Sequence, residues 1–248
     1  MAVAYFRFYE ELNDFLRVDR QRQCFTHAFE HRVSVKDIIE SFGVPHTEVD
    51  LILVDGKSVD FTHIVNHGER ISVYPVFESI DITPLLKLRP RPLRTSRFVL
   101  DGHLGKLARY LRLFGFDSLY RNDYEDEHLA RIASRQHRIV LTRDRGLLKR
   151  RCIVRGCYIR EKIPKQQLHE LFVRLDLARS ARPYSRCLRC NGVLRAVAKN
   201  TIWQRLEPNT CRYFNDFKIC ENCDQIYWRG SHFLGMERLV TDLLQKFE

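Results

Sequence analysis

The chain has 248 residues, 44% of them hydrophobic, and a formal net charge of +11. That length suits one or two domains with a small module, and that apolar content builds an ordinary buried core. No apolar run is long enough to span a bilayer, and "MAVAYFRFYEELNDF" lacks a signal peptide's uninterrupted apolar stretch, so the expectation is a cytoplasmic protein with no membrane partner.

The charge is uneven. Residues 1–85 hold 8 Lys/Arg and 14 Asp/Glu, a net of −6, whereas residues 86–248 hold 34 and 17, a net of +17. An acidic module thus precedes a strongly basic body, which points to a polyanionic partner for the body, nucleic acid first. In a reducing compartment the eight cysteines favour metal binding over disulfides where they pair closely.

In chain order, residues 1–82 read as a module of their own. "AVAYFRFY" alternates as a strand and "QCFTHAF" is its hairpin partner. Ser34 caps a helix, with Asp37 in a capping-box position and Val35, Ile38, Ile39 and Phe42 at helical spacing; Gly43 and Pro45 stop it. "VDLILVDGKSVDF" supplies a strand, an Asp-Gly turn and a return, and "GERISVYPVF" a final strand. This ββαββ order resembles a β-grasp, ubiquitin-like fold of the sulfur-carrier type. Such carriers end in Gly-Gly; here the segment reads "PVFESIDITP", so the module is expected to dock a protein partner, with a sulfur-carrier role the weaker alternative. Residues 83–96, "TPLLKLRPRPLRTS", form a linker whose three prolines bar regular structure.

From Arg97 strands and helices alternate. "RFVLD" is a strand. "LGKLARYLRLFG" is a helix with Leu104, Leu107, Ala108 and Leu111 on one stripe, Lys106, Arg109 and Arg112 off it, and Gly115 past its end. "FDSLY", "EDEHLARIASRQ", "RIVLT", "RGLLKRR", "CIVRGCYI" and "PKQQLHELFVRLDLA" continue as strand, helix, strand, short helix, strand or strand pair, and helix. The fold class expected for residues 97–183 is therefore α/β, a parallel sheet with helices on both faces. Residues 184–248 carry two CxxC pairs, short strand-like pieces and a closing helix.

In such a sheet ligands bind beyond the carboxyl ends of the strands. Asp101 and Asp144 fall there, and Asp126 opens a helix whose dipole keeps it ionised. Converging carboxylates repel one another unless a hard cation lies between them, and Mg²⁺ or Mn²⁺ suits an all-oxygen site. Taken singly, each acid reads first as a cap or an ion-pair partner; the three together, in one α/β body of high positive charge, favour a site. Lys106, Arg109 and Arg112 follow Asp101, and Arg143, Arg145, Lys149 and Arg150 surround Asp144; as a cluster they suit the phosphates of a nucleic acid.

"FVLDGHLGKLARYLRLFGFD", "DEHLARIA", "RIVLTRDRGLL" and, after the last CxxC, "YWRGSH" together resemble the RNase domain of the Mut-seven C-terminal family, a branch of the PIN-like nucleases, over residues 97–245. The resemblance implies a PIN-like fold, metal-binding catalytic acids at Asp101, Asp126 and Asp144, RNA (a tRNA or other structured RNA included) as partner, and an N-terminal ubiquitin-like companion. A fourth acid common in PIN nucleases is replaced here by Arg145 and Gly146, with Asp123 and Glu127 as alternatives to Asp126.

In the tail, Cys187, Cys190, Cys220 and Cys223 suit one closed, structural Zn²⁺ site. An inserted hairpin would account for the 29 residues between the pairs, Cys211 is a second-choice ligand, and Cys24, Cys152 and Cys157 are expected to be core thiols. Tyr227 or Trp228 could stack on a base or pack the ribbon, and His232 could carry a proton. The leading expectation is a divalent-metal-dependent ribonuclease; the alternative is a non-catalytic RNA-binding adaptor.

Overall fold

Alternation shapes the first strand: in Ala2–Phe8 (β1), Ala4, Phe6 and Phe8 are buried while Tyr5 and Arg7 face solvent. The computed structural model describes residues 1–75, 88 and 96–247, so the 83–96 linker lies, but for 88 and 96, outside the described residues. Phe25–Phe29 (β2) returns antiparallel to β1. Val35–Ser41 (α1) starts at Ser34, whose Oγ accepts the Asp37 N–H at 3.1 Å and donates to its carboxylate at 2.7 Å. Leu51–Val54 (β3) and Lys57–Val59 (β4) form a hairpin around Asp55 and Gly56, at φ 47° and 79°, the two positive values that suit the twist of paired strands. Arg70–Tyr74 (β5) runs parallel to β1 and antiparallel to β3, giving the order β2-β1-β5-β3-β4. Phe6, Phe8, Ile38, Ile39, Ile52 and Ile71 fill the core.

Arg97–Leu100 (β6) leads through a 3-10 turn, Gly102–Leu104, into Gly105–Leu113 (α2), and Asp117–Tyr120 (β7) runs parallel to β6. The stripe Leu104, Leu107, Ala108 and Leu111 is fully covered. Gly115, at φ 91°, turns the chain out of the helix, and a Cβ there would collide with the Arg182 carbonyl. Asp126–Gln136 (α3) precedes Ile139–Thr142 (β8), and Arg145–Leu148 (α4) precedes Gly156–Tyr158 (β9), parallel to β8. All four residues of β8 are buried, as expected for a strand covered on both faces. Pro164–Arg174 (α5), with proline in its first turn, packs on α2 and sets Phe172 4.8 Å from Phe114.

Leu194–Val197 (β10), Phe217–Cys220 (β11) and Ile226–Trp228 (β12) form an antiparallel sheet. The segment joining β10 to β11 is helical rather than the expected hairpin: Lys199–Ile202 (α6) and Pro208–Tyr213 (α7). Ile202, Leu206 and Phe214 do not alternate; they pack on Phe217, Ile219 and Ile226 as a small core. Ser231–Leu244 (α8) follows. Cys157 is buried as expected, but Cys24 and Cys152 are exposed. Cys24 lies just before β2 and Cys152 in a turn after α4, so neither stands on a core-facing strand position.

Two units share these elements: Met1–Thr95 with Glu125–Ile159, and Ser96–Tyr124 with Arg160–Glu248. Within the first, the 3-10 turn His46–Glu48 meets β9. The Glu48 carboxylate accepts the Tyr158 N–H, Lys149 Nζ donates to the Glu40 carbonyl at 2.8 Å, and the Phe15 and Tyr158 rings lie 5.6 Å apart. His46 Nε2 is 3.0 Å from the Ile153 carbonyl, and its Nδ1 is 2.7 Å from Glu40 Oε1.

Candidate functional site

The two CxxC turns share one construction. After Cys190 comes Asn191 at φ 71°, and after Cys223 comes Asp224 at φ 54°. Asn191 N–H donates to the Cys187 carbonyl (3.0 Å) and Cys187 N–H to that of Gly192 (2.8 Å); Asp224 and Cys220 repeat the pair at 3.1 and 3.0 Å, onto Cys220 and Gln225. The sulfurs consequently face one another, all four within 4.8 Å, with Cys187–Cys223 at 3.6 Å and Cys190–Cys220 at 3.3 Å. A tetrahedron with Zn–S bonds of ~2.3 Å has an edge of about 3.8 Å, so slight opening admits the ion and the donor set fits zinc. The Cys190 and Asn222 N–H groups point at Sγ of Cys187 (3.5 Å) and Cys220 (3.4 Å), bonds that steady thiolate charge. A Cβ on Gly192 would lie 2.8 Å from Cys220 Sγ, so that position admits no side chain without movement.

Tyr227 supports the cluster with its hydroxyl 3.1 Å from Cys187 Sγ. Burial opposes the Cys187 thiolate, but the Tyr227 hydroxyl and the N–H groups of Cys190 and Arg189 outweigh it and bring the pKa to about 7. Burial, then the crowding of the other thiols, pushes Cys190 up to about 12. Cys211 lies in α7 and outside the cluster, so it is not a ligand of this group.

Asp101 follows the last residue of β6 and opens the 3-10 turn, its carbonyl accepting the Leu104 N–H at 2.9 Å. Tyr120 secures that turn by donating its hydroxyl to the Gly102 carbonyl at 2.9 Å. Asp144, an exposed residue, stands two residues past β8 and caps α4: Oδ1 accepts the Gly146 N–H at 2.6 Å. Asp126 lies in the first turn of α3, where Glu125 is the N-cap, and its Oδ2 is 3.6 Å from Arg150. The alternatives are more firmly engaged, Asp123 by Arg121 at 2.7 and 2.9 Å and Glu127 by Arg131 at 3.3 Å. Asp126 and Asp144 belong to the first unit and Asp101 to the second.

The seven expected phosphate contacts divide sharply. Lys106, Arg109, Arg143, Arg145 and Arg150 are exposed, the last two already engaged within the chain. Arg112 is not available: it is 4% exposed, donates Nε to the Ser118 carbonyl (2.9 Å), and gives Nη1 to the Leu188 and Arg189 carbonyls (3.1 and 3.0 Å). Burial lowers its pKa, and the charge of Cys187 and Cys190 offsets part of that. It is thus a brace between α2, β7 and the first CxxC turn. Arg145 extends over the Phe15 and Tyr158 rings at 5.1 and 5.2 Å, Lys149 holds the Glu40 carbonyl, and Arg150 pairs with Asp126. Residue order alone hid these partners, because each comes from a distant segment. The side chain of His232 lies outside the described residues.

Among the described residues no helix is long and apolar enough to cross a membrane. Searches of the curated proteins and of the solved structures returned no match. Two family models do match: the Mut7-C ubiquitin model over residues 1–81, and the Mut7-C RNAse domain model over residues 96–240. With more than half its length matched by the second, the chain belongs to the Mut7-C RNAse domain family and carries that family's ubiquitin-like module at its N-terminus.

Proposed function

We propose that the protein is a divalent-metal-dependent ribonuclease that hydrolyses RNA phosphodiester bonds at Asp101, Asp126 and Asp144. The observation that carries this reading is the position of Asp101 and Asp144, each just past the carboxyl end of a parallel strand in a chain of an RNAse-domain family. The donor chemistry suits Mg²⁺ or Mn²⁺: three carboxylates, of which Asp126 and Asp144 are exposed. Such an ion would supply a water of lowered pKa and neutralise charge on the phosphate. The chain's own part is to hold the acids ionised and to present Lys106, Arg109 and Arg143 to neighbouring phosphates. In this reading residues 97–183 are the nuclease body, 184–248 a zinc ribbon that staples a tail with little core, and 1–82 a module that docks α4 and β9 and a further protein. A cytoplasmic site of action keeps the cysteines reduced for zinc.

A catalytically silent RNA-binding adaptor is the second reading. It is favoured by Arg150 at 3.6 Å from Asp126 and by Arg145 and Gly146 where a fourth acid would stand. Incubation of labelled single-stranded and structured RNA with Mn²⁺, Mg²⁺ or a chelator separates the two. Metal-dependent cleavage by wild type, lost in Asp101→Asn and Asp144→Asn, is expected; tight binding without cleavage under any metal would select the adaptor.

A further inference from the structure

Beside the cysteine cluster the second unit holds a cavity of about 470 Å³, enclosed by the ribbon sheet, Tyr184 and the start of α8. One wall is the cross-strand row Ala196–Lys218–Tyr227, in which the methyl of Ala196 leaves the space that a larger side chain would occupy. At its edge stands Trp228, 38% exposed. A Cβ on Gly230 would come within 2.8 Å of Trp228 Nε1, so the backbone there lies directly against the edge of the indole. The lining also includes a ring pair, Tyr184 and Phe233, with centroids 4.9 Å apart and Arg229 over Phe233 at 5.4 Å.

We propose that this cavity takes one unstacked nucleobase of a single-stranded RNA, laid against Trp228. The proposal rests on the ribonuclease reading for its substrate class and adds the site that grips the strand. Three observations select a base over an apolar side chain. Tyr184, Tyr227, Trp228 and Phe233 all line the cavity, and a base stacked on an aromatic face gains about 1–3 kcal/mol regardless of its identity. The Tyr184 hydroxyl is buried without a hydrogen-bond partner among the described residues, a deficit that the polar edge of a base would relieve once the ring turns toward the cavity. The lining includes Arg186, Lys218 and Arg229 against the single acid Asp216. Arg186 and Lys218 also hold the Asn191 and Tyr184 carbonyls, at 2.9 and 2.8 Å; Arg186 is further paired with Asp117 at 3.8 Å, so Lys218 and Arg229 carry the charge argument.

The backbone has a course from this cavity. Leu188 and Tyr227 separate it from a second concavity, lined by Arg109, Arg112, Arg189 and Gly105. Arg112 is buried and braces the wall with Nε and Nη1 on carbonyls, whereas Arg109 and Arg189 are exposed. That concavity reaches the first residue of α2, four positions after Asp101. Phosphates following the bound base would therefore cross Arg109 and Arg189 on the way to the acid.

Trp203→Phe leaves Trp228 as the only tryptophan of the chain, a built-in reporter. The full-length, zinc-loaded variant would be titrated with oligouridylate and oligoadenylate of about six nucleotides, without Mg²⁺ or Mn²⁺, and binding followed in parallel by anisotropy of a labelled oligonucleotide. Saturable quenching of Trp228 emission is expected for both. Trp228→Ala should weaken binding about tenfold, Trp228→Phe should retain most of the affinity, and Tyr184→Phe should cost about threefold or more. Oligonucleotide binding with unchanged Trp228 emission, or equal affinity in wild type and Trp228→Ala, would overturn the proposal. Quenching in a protein that cuts no RNA would leave the pocket standing and sink the nuclease; cleavage by a protein whose Trp228 stays silent would do the reverse.

Discussion

The cysteine cluster and the acidic positions differ in how far apart their makers lie. Each pair of thiols comes from a four-residue turn, and two such turns, closed by the same two hydrogen bonds, bring all four sulfurs within 4.8 Å. The acids come singly, from the ends of β6 and β8 and the start of α3, and each has a local duty besides, as the opening of a 3-10 turn, a helix cap or an ion-pair partner. A metal site written in short-range spacing can be read residue by residue. One assembled from strand ends depends on the whole sheet.

The largest effect that would break this comparison is at zinc. Structural zinc contributes apparent binding energies of about 10–16 kcal/mol in small domains, so chelation or Cys220→Ser should unfold the ribbon while β1–β5 persist. Elemental analysis with circular dichroism checks this, and a Cys220→Ser protein of wild-type metal content and melting curve would refute the cluster.

Next comes α2, where two arginines three residues apart should behave oppositely. Arg112→Met strands three carbonyls and is expected to cost about 3 kcal/mol or more in chemical denaturation. Arg109→Ala should stay within about 0.5 kcal/mol and instead weaken RNA binding and its salt dependence. Equal stability losses would mean that burial does not separate their roles.

Around Asp144 the same contrast is milder. Arg145→Ala removes a guanidinium from two aromatic faces and should lower stability by about 0.5–1 kcal/mol, whereas Arg143→Ala should leave it unchanged. Denaturation midpoints of the two variants decide it.

The smallest effect is on pH. Burial of Glu40 would raise its pKa, but the hydrogen bond and charge of His46 outweigh that and hold it below the ordinary value of 4.5. A carboxylate depressed on folding stabilises above its unfolded pKa, and that contribution is lost as pH falls through the folded value. The denaturation midpoint should therefore fall with acidification below about pH 4.5, and Glu40→Gln should fall less steeply. Parallel curves for both proteins would remove the pair from the account.

Much of this architecture was legible in residue order because its causes are local. Ser34 and Asp37 announce α1, Asp55-Gly56 the hairpin, and Gly115 the end of α2. Arg112 misleads for the opposite reason: it sits off the apolar stripe of its helix, and what covers it is a turn 76 residues away. Arg145 and Lys149 look like phosphate contacts beside Asp144, yet their partners Phe15 and Glu40 lie in the N-terminal module. The insertion between β10 and β11 departs from the expected hairpin because its apolar residues serve a small core rather than an alternating face.

The sharpest measurement is Mn²⁺ binding to the zinc-loaded protein by calorimetry, in wild type, Asp101→Asn, Asp144→Asn and the double variant. If both carboxylates hold one ion, each single change should weaken the same site by roughly tenfold or more, and the double change should add far less than the sum. Strictly additive losses, or a single variant that binds Mn²⁺ like wild type, would contradict a shared metal.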